Sequence, residues 1–189
     1  MILIFDTETT GLPIPNAPIT KQPYLVQLGC IVLNHKLMPC RSFSSLVKPD
    51  GWIIPDQATE IHGISTQNCI DYGLPLKAVI NEFLCLQSLC QHRVAHSAGF
   101  DTQILNFSLQ RVEDHYPLPI ETHCTMAHMT AVCKLRGWKE GQYKWPSLAE
   151  AYNYATRRNL SGAHSAIVDC LACRDILQYL NDNKILELR

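Results

Sequence analysis

Apolar residues run unbroken from Ile2 to Phe5 and give way at once to the polar cluster Asp6-Thr7-Glu8-Thr9-Thr10-Gly11. That pattern predicts a short strand buried on both faces, with polar groups gathered at its exit. The nearly apolar stretch Tyr24 to Leu33, interrupted by Gln27, and the segment Arg41 to Lys48 read as two further strands. Asn34-His35-Lys36 is the turn between them, so an antiparallel meander is expected. Gly51 to Pro55 breaks the pattern, and Gln57 to His62 suits a short helix closed by Gly63.

The rhythm then changes to a helical one. Leu76, Val79, Ile80, Phe83, Leu84, Leu86 and Cys90 predict a helix with one buried stripe. Arg93 to His96 reads as a strand, and a second helical pattern begins at Asp101, passes Ile104, Leu105 and Val112, and closes at Tyr116-Pro117-Leu118-Pro119. Further helices are expected over His123 to Leu135, over Leu148 to Thr156 with Ser147 as N-cap, and from about His164 to Leu180, with Gly137 to Pro146 as a loop. Strands that come first as a meander and later alternate with helices predict an α/β domain whose mixed central sheet is flanked by helices. With no internal repeat and no long linker, residues 1–189 read as a single domain.

Composition narrows the picture. With 47% apolar and 17% charged residues, the 189-residue chain can bury a sizeable core without a disulfide or metal. The longest apolar stretch is far short of the roughly 18 residues of a membrane span. The N-terminus has neither a basic n-region nor a small-residue cleavage site, so secretion is not expected. Nine cysteines, an odd number without framework spacing, predict reduced thiols and a cytoplasmic setting. Cys170-x-x-Cys173 has no second ligand pair and reads as a helical thiol pair rather than a zinc or redox centre. A formal charge of −1 argues against gripping long nucleic acid by a broad cationic surface, but leaves open a protein that handles one chain end.

Candidate chemistry begins at the first strand. Asp6 and Glu8, two apart, project to the same side of an extended chain. Held close, two carboxylates must share a proton or a cation, and hard oxygen ligands suit Mg²⁺ or Mn²⁺ better than zinc. On the last helix Asp169 heads the stripe Cys173, Ile176 and Leu180, so a carboxylate stands at the top of a core face. Alone, each further residue has an ordinary reading: Asp169 as a first-turn helix acid, His164 as a loop histidine, Asp101 as an N-cap. The combination is specific: a strand ending in Asp6-x-Glu8, a strand-to-helix junction with Asp101, and a helix start with His164 and Asp169.

These residues resemble the DEDDh group of 3′-to-5′ exonucleases, the DnaQ-like branch of the ribonuclease H-like superfamily that includes the DNA polymerase III proofreading subunit. Phe5-Asp6-Thr7-Glu8-Thr9-Thr10-Gly11-Leu12 is similar to the family's first motif, Ala95-His96-Ser97-Ala98-Gly99-Phe100-Asp101 to its second, and His164-Ser165-Ala166-Ile167-Val168-Asp169 to its third. Ala58-Thr59-Glu60-Ile61-His62-Gly63-Ile64 resembles a segment that members carry between the first two. The five-residue step from His164 to Asp169 matches the His subgroup rather than the Tyr subgroup. Ser97 stands where many members have Asn, and Gln57 where the proofreading subunit has Glu.

The resemblance implies a ribonuclease H-like fold in which Asp6, Glu8, Asp101 and Asp169 hold two Mg²⁺ or Mn²⁺ ions and His164 is the general base. It also implies that Thr9, Thr10, Leu12 and Phe100 hold the terminal nucleotide, with His62 either reaching a phosphate or serving as a core or capping residue. The implied activity is metal-dependent release of nucleoside 5′-monophosphates from 3′ ends. Single-stranded DNA comes ahead of RNA, because the first motif is closer to the proofreading subunit than to oligoribonuclease. A polymerase or repair complex is the implied partner, and no membrane is involved. A different reading is a module that binds 3′ ends without cutting.

The segment Lys134 to Lys144 carries Lys134, Arg136, Lys139 and Lys144 with Trp138, Tyr143 and Trp145 interleaved, and Arg157-Arg158 follow. It is suited either to guiding a single strand or to lying as a solvated loop with its aromatics tucked inward. Trp52 and Trp145 are expected to be packing residues.

Overall fold

A computed structural model describes residues 1–113, 120–137, 139 and 141–188. Strand β1 (Ile2–Thr9) lies at the centre of a five-stranded sheet of order β3-β2-β1-β4-β5. Strands β2 (Leu25–Leu33) and β3 (Pro39–Leu46) pair antiparallel with β1 and with each other, as the meander requires. β4 (His92–Ala95) and β5 (Glu121–Cys124) add parallel strands on the other side, so the sheet is mixed.

Helices cover both faces. Leu3, Phe5, Leu28 and Cys30 point to one side, where α3 (Leu76–Gln87) and α4 (Ala98–Arg111) bury Val79, Ile80, Phe83, Ile104 and Leu105 against them. Ile2, Ile4, Ile31 and Val94 point to the other, against Cys170, Cys173 and Leu177 of α7 (Ala166–Asp182). Outside α7, helices α5 (Thr125–Cys133) and α6 (Leu148–Thr156) close a smaller cluster around Met129, Ala151, Ile176 and Leu180. Two short helices, α1 (Asp56–His62) and α2 (Thr66–Tyr72), fill the crossover from the meander to α3.

Several boundaries differ from the expectation. β1 runs on through the polar cluster to Thr9, because pairing with β2 holds it extended; a register shift between Glu8 and Thr9 ends it. The helix expected from His123 begins instead at Thr125, since Glu121–Cys124 is drawn into the sheet beside β4, and tertiary pairing overrides local preference. α4 begins three residues before Asp101, whose N–H already bonds the Ser97 carbonyl, so Asp101 lies inside the helix and is not its cap. α7 begins at Ala166, two residues after His164, whose backbone has φ of 67°. α2 was not expected, although Ser65 and Asn68 form a reciprocal capping box at its start. The turn expected at Tyr116 to Pro119 lies outside the described residues.

One close approach sets the distance between sheet and helix. A Cβ built on Gly29 would lie 2.4 Å from the carbonyl carbon of Ala166 and 2.7 Å from the nitrogen of Ile167, both backbone atoms of the first turn of α7. Gly29 is the register partner of Asp6. The absent side chain therefore lets the start of α7 rest on β2 beside that carboxylate. Gly29→Ala is expected to cost about 1–3 kcal/mol by overpacking and to shift Asp169 away from Asp6. A melt and an activity assay should fall together; an unchanged melting temperature contradicts this packing.

Candidate active site

At the ends of β1 and β4, three elements bring four carboxylates together. Asp6 and Glu8 share the side of β1 that carries Ile2 and Ile4 and faces α7. Asp169 arrives from the first turn of α7, and Asp101 from the first turn of α4. Asp6, Glu8, Asp101, Asp169, His164 and Phe100 all line one small cleft of about 180 Å³. Ligating atoms of Glu8, His164 and Asp169 lie within 4.8 Å of one another.

Each acid is held by its neighbours. Asp101 Oδ1 accepts the Thr7 N–H at 3.1 Å and the Thr7 hydroxyl at 2.7 Å. The N–H of His164 donates to Asp169 Oδ2 at 3.1 Å, which helps to fix the left-handed backbone there. Asp169 Oδ1 is buried with no hydrogen-bond partner among the described residues. Gln27 Oε1 accepts the N–H of Ala166 at 3.0 Å and so ties the start of α7 to β2.

The electrostatics follow from this crowding. Burial, then the charges of Asp101, Asp169 and Glu8, push the Asp6 carboxyl well above the usual range. Burial, then Asp169 and Asp101, raise Glu8 to about 7. Burial raises Asp101 to about 7 against the opposing hydrogen bonds from Thr7. Burial also raises Asp169, opposed by the His164 N–H and by the charge of His164. Four such groups cannot all ionise without a counter-charge. The all-oxygen donor set and the unpartnered Asp169 Oδ1 fit hard divalent cations such as Mg²⁺ or Mn²⁺.

Without a cation, protons must do this work. Glu8 and Asp101 keep their protons up to about pH 7 in the folded chain, but only to about 4 in the unfolded one. The stabilisation is therefore complete below about pH 4 and is lost as pH rises to about 7, an effect of order 3 kcal/mol for Glu8. Metal-free protein is expected to melt lower at pH 8 than at pH 5, with a flatter profile in Glu8→Gln. Equal slopes in the two proteins contradict the assignment.

Beside the carboxylates a second cavity, about 510 Å³, is lined by Thr9, Thr10, Leu12, Gln57, His62 and Phe100. Leu12 is 78% exposed and Ile61 62%, which gives the cavity an apolar lip. The Thr9 hydroxyl bonds the Gly11 carbonyl and the Thr10 hydroxyl accepts the Tyr24 N–H, so both shape the turn leaving β1. His62 Nδ1 accepts the N–H of Ile64 at 3.1 Å, while its Nε2 is buried without a partner among the described residues. Burial lowers the His62 pKa, opposed by the Thr9 backbone and reinforced by His164. The neutral ring thus carries its proton on Nε2. A larger cavity of about 670 Å³, around Tyr24, Trp52 and Arg111, holds none of the carboxylates.

Every residue singled out as catalytic, metal-ligating or nucleotide-binding therefore reaches one of two adjoining cavities. Three supporting residues were missed. Thr7 lay unassigned within the first motif, and Gln27 was visible as the polar break in an apolar strand. His96 braces the end of β4 by bonding the Thr125 hydroxyl and the Pro146 carbonyl; like Thr7 it lay unassigned within a motif, the second. Ser97 makes no side-chain cap bond to α4.

The basic loop is only partly free. Lys144 pairs with Glu150 at 2.6 Å, Arg158 with Asp175 at 3.5 Å, and Arg157 lies over the Tyr154 ring. Trp145 is 70% exposed, which corrects its reading as a packing residue; the loop enters α6 on the surface, leaving the indole no core to join. Trp52 does pack, stacked on Tyr24 with centroids 5.2 Å apart. Trp138 lies outside the described residues. All nine cysteines are free, and Cys170 and Cys173 are buried in the core. Among the described residues no helix is long and apolar enough to cross a membrane.

Comparison with known proteins places this geometry. Residues 3–177 match the model of the RNase_T family, described as exonuclease. Over 172 residues the chain is 27% identical to DNA polymerase III subunit epsilon of Treponema pallidum (strain Nichols), covering 91% of this chain and 72% of that protein. A structure of exonuclease I superposes with a TM-score of 0.77 at 20% identity over 96% of this chain. A zinc-ion-bound complex of E. coli exonuclease I with single-stranded DNA gives 0.74 at 18% over 97%. This chain spans 40% of each of those two, and at such identities the likeness is one of fold.

Proposed function

The chain belongs to the RNase_T exonuclease family, DnaQ-like 3′-to-5′ exonucleases, and from that premise we propose that it hydrolyses the last phosphodiester of a nucleic-acid 3′ end, with single-stranded DNA as preferred substrate. The observation that carries the proposal is the convergence of Asp6, Glu8, Asp101, Asp169 and His164 in a cleft adjoining a nucleotide-sized cavity. Residues 1–189 act as one exonuclease domain.

The four carboxylates would hold two divalent cations, Mg²⁺ or Mn²⁺, which when bound would supply Lewis acidity and positive charge to offset the phosphate. The rest falls to the chain's own side chains. Leu12 and Phe100 take the terminal base by apolar contact, which tolerates any base. The Thr9 and Thr10 turn holds the sugar end. His62 offers its Nε2–H to a phosphate oxygen. His164 takes a proton from the attacking water, whose oxygen bonds to phosphorus as the P–O3′ bond breaks; the departing 3′ oxygen takes a proton from solvent water, so a nucleoside 5′-monophosphate leaves and the shortened chain carries a new 3′ hydroxyl.

DNA is favoured over RNA by the DNA polymerase III epsilon relative and by the fold neighbour complexed with single-stranded DNA. The same relative motivates a polymerase or repair partner. The test is incubation of matched 5′-labelled DNA and RNA oligomers with Mg²⁺ or Mn²⁺. A ladder descending by single nucleotides, faster on single-stranded DNA, with 5′-monophosphate released, is the expected result. Binding without shortening makes the protein a 3′-end-binding module, and faster loss of RNA moves it to the exoribonucleases.

A further inference from the structure

At the opposite end of the parallel strands a second ligand cluster is built from three residues. His92 opens β4 and is the register partner of Glu121, while His123, two residues on, pairs with Val94. Strand alternation places all three on one side of the sheet. His92 Nδ1 and His123 Nε2 lie 3.2 Å apart, and Glu121 places Oε2 3.5 Å from the first and Oε1 3.7 Å from the second. The imidazoles are largely buried, at 18% and 12% side-chain exposure, whereas Glu121 is 67% exposed. In register, Ile2 beside His92 is four residues from Asp6, about 13 Å at ~3.3 Å per residue, so this cluster is separate from the carboxylate cleft.

We propose that His92, Glu121 and His123 form a second metal site, for a borderline divalent transition ion, with Zn²⁺ as its occupant. Ligand atoms on a tetrahedral zinc with bonds of ~2.0–2.2 Å stand about 3.3–3.6 Å apart; one ligand atom from each of the three residues already lies within 4.8 Å of the others, and the exposed Glu121 side chain is free to rotate the remainder. Two imidazole nitrogens with one carboxylate suit zinc and exclude the hard Mg²⁺ of the catalytic cleft. The exposed carboxylate opens the site to solvent. An ion there would staple the edge strand β5 to β4, just before Thr125, which braces His96 beside the catalytic cleft.

The experiment uses the full chain carrying Glu8→Gln and Asp169→Asn, so that the catalytic cleft does not compete. Zn²⁺ is titrated calorimetrically, Co²⁺ is followed by absorption, and melting is measured with each. About one equivalent of Zn²⁺ should bind and raise the melting temperature. Co²⁺ should give the strong visible bands of a four-coordinate nitrogen and oxygen site, without thiolate charge transfer. Adding Glu121→Gln, a surface change that leaves the fold intact, should weaken binding by more than about tenfold, and His123→Gln should remove it. No binding makes the cluster a hydrogen-bonded histidine pair, and binding indifferent to both substitutions or showing thiolate bands places the ion on cysteines; each overturns the proposal.

Discussion

Asp6→Asn is expected to slow removal of 3′-terminal nucleotides by at least about 10³-fold, equivalent to about 4 kcal/mol of transition-state stabilisation. Asp6 stands among Glu8, Asp101 and Asp169, and all three push its carboxyl toward the neutral form. Its charge is therefore useful only when a cation shares the cleft. The same substitution removes a buried acid from a crowd of like charges, so metal-free Asp6→Asn should melt at or above the parent temperature at neutral pH. Single-turnover rates on a labelled oligonucleotide and melts in chelator test the two halves together. Activity within tenfold of the parent, or a variant that unfolds, runs against the assignment.

His164→Asn carries the second large effect, a loss of about 10²- to 10⁴-fold, the range of a positioned general base. Asn is chosen because it tolerates the left-handed backbone that His164 adopts at φ 67°, and because the N–H bond to Asp169 survives the change. The base must be unprotonated to act, so the parent's rate rises with pH and then levels, and the variant lacks that limb. The profile has to be taken at saturating Mg²⁺, since Glu8 and Asp101, raised to about 7, also shed protons when the cation enters. A rising limb that persists in His164→Asn, with chemistry shown to limit the rate, would falsify the role.

How much of this was legible in the sequence depended on whether the controlling interaction was local. β1 and α3 announced themselves by apolar runs and helical spacing, and the meander by its turn. The pairing of Asp6 with Glu8 followed from strand alternation alone. β5 was not legible, because Glu121–Cys124 is a strand only while β4 lies beside it. The starts of α4 and α7 were misplaced because Asp101 and His164 look like helix openers, yet one lies within the first turn of a helix already begun at Ala98 and the other precedes its helix in a left-handed conformation.

At the site, the family-like motifs marked the acids and the histidine, while the residues that aim them stayed hidden. Thr7 acts on Asp101 across 94 positions and Gln27 on Ala166 across 139, and no local pattern reports such a bond. Gly29 illustrates the same limit. Its role is a helix backbone resting where a methyl group would be, which only the packed fold defines.

The proposed mechanism requires that four acids from separate stretches of the chain form one receptacle for two divalent ions. Diffraction from crystals soaked in Mn²⁺ and a nucleoside 5′-monophosphate, collected at the manganese edge, tests it most directly. Two anomalous peaks bounded by Asp6, Glu8, Asp101 and Asp169, with the phosphate against them and the base beside Leu12, are the predicted result. A cleft without manganese density, or ions bound only at His92 and His123, would contradict it.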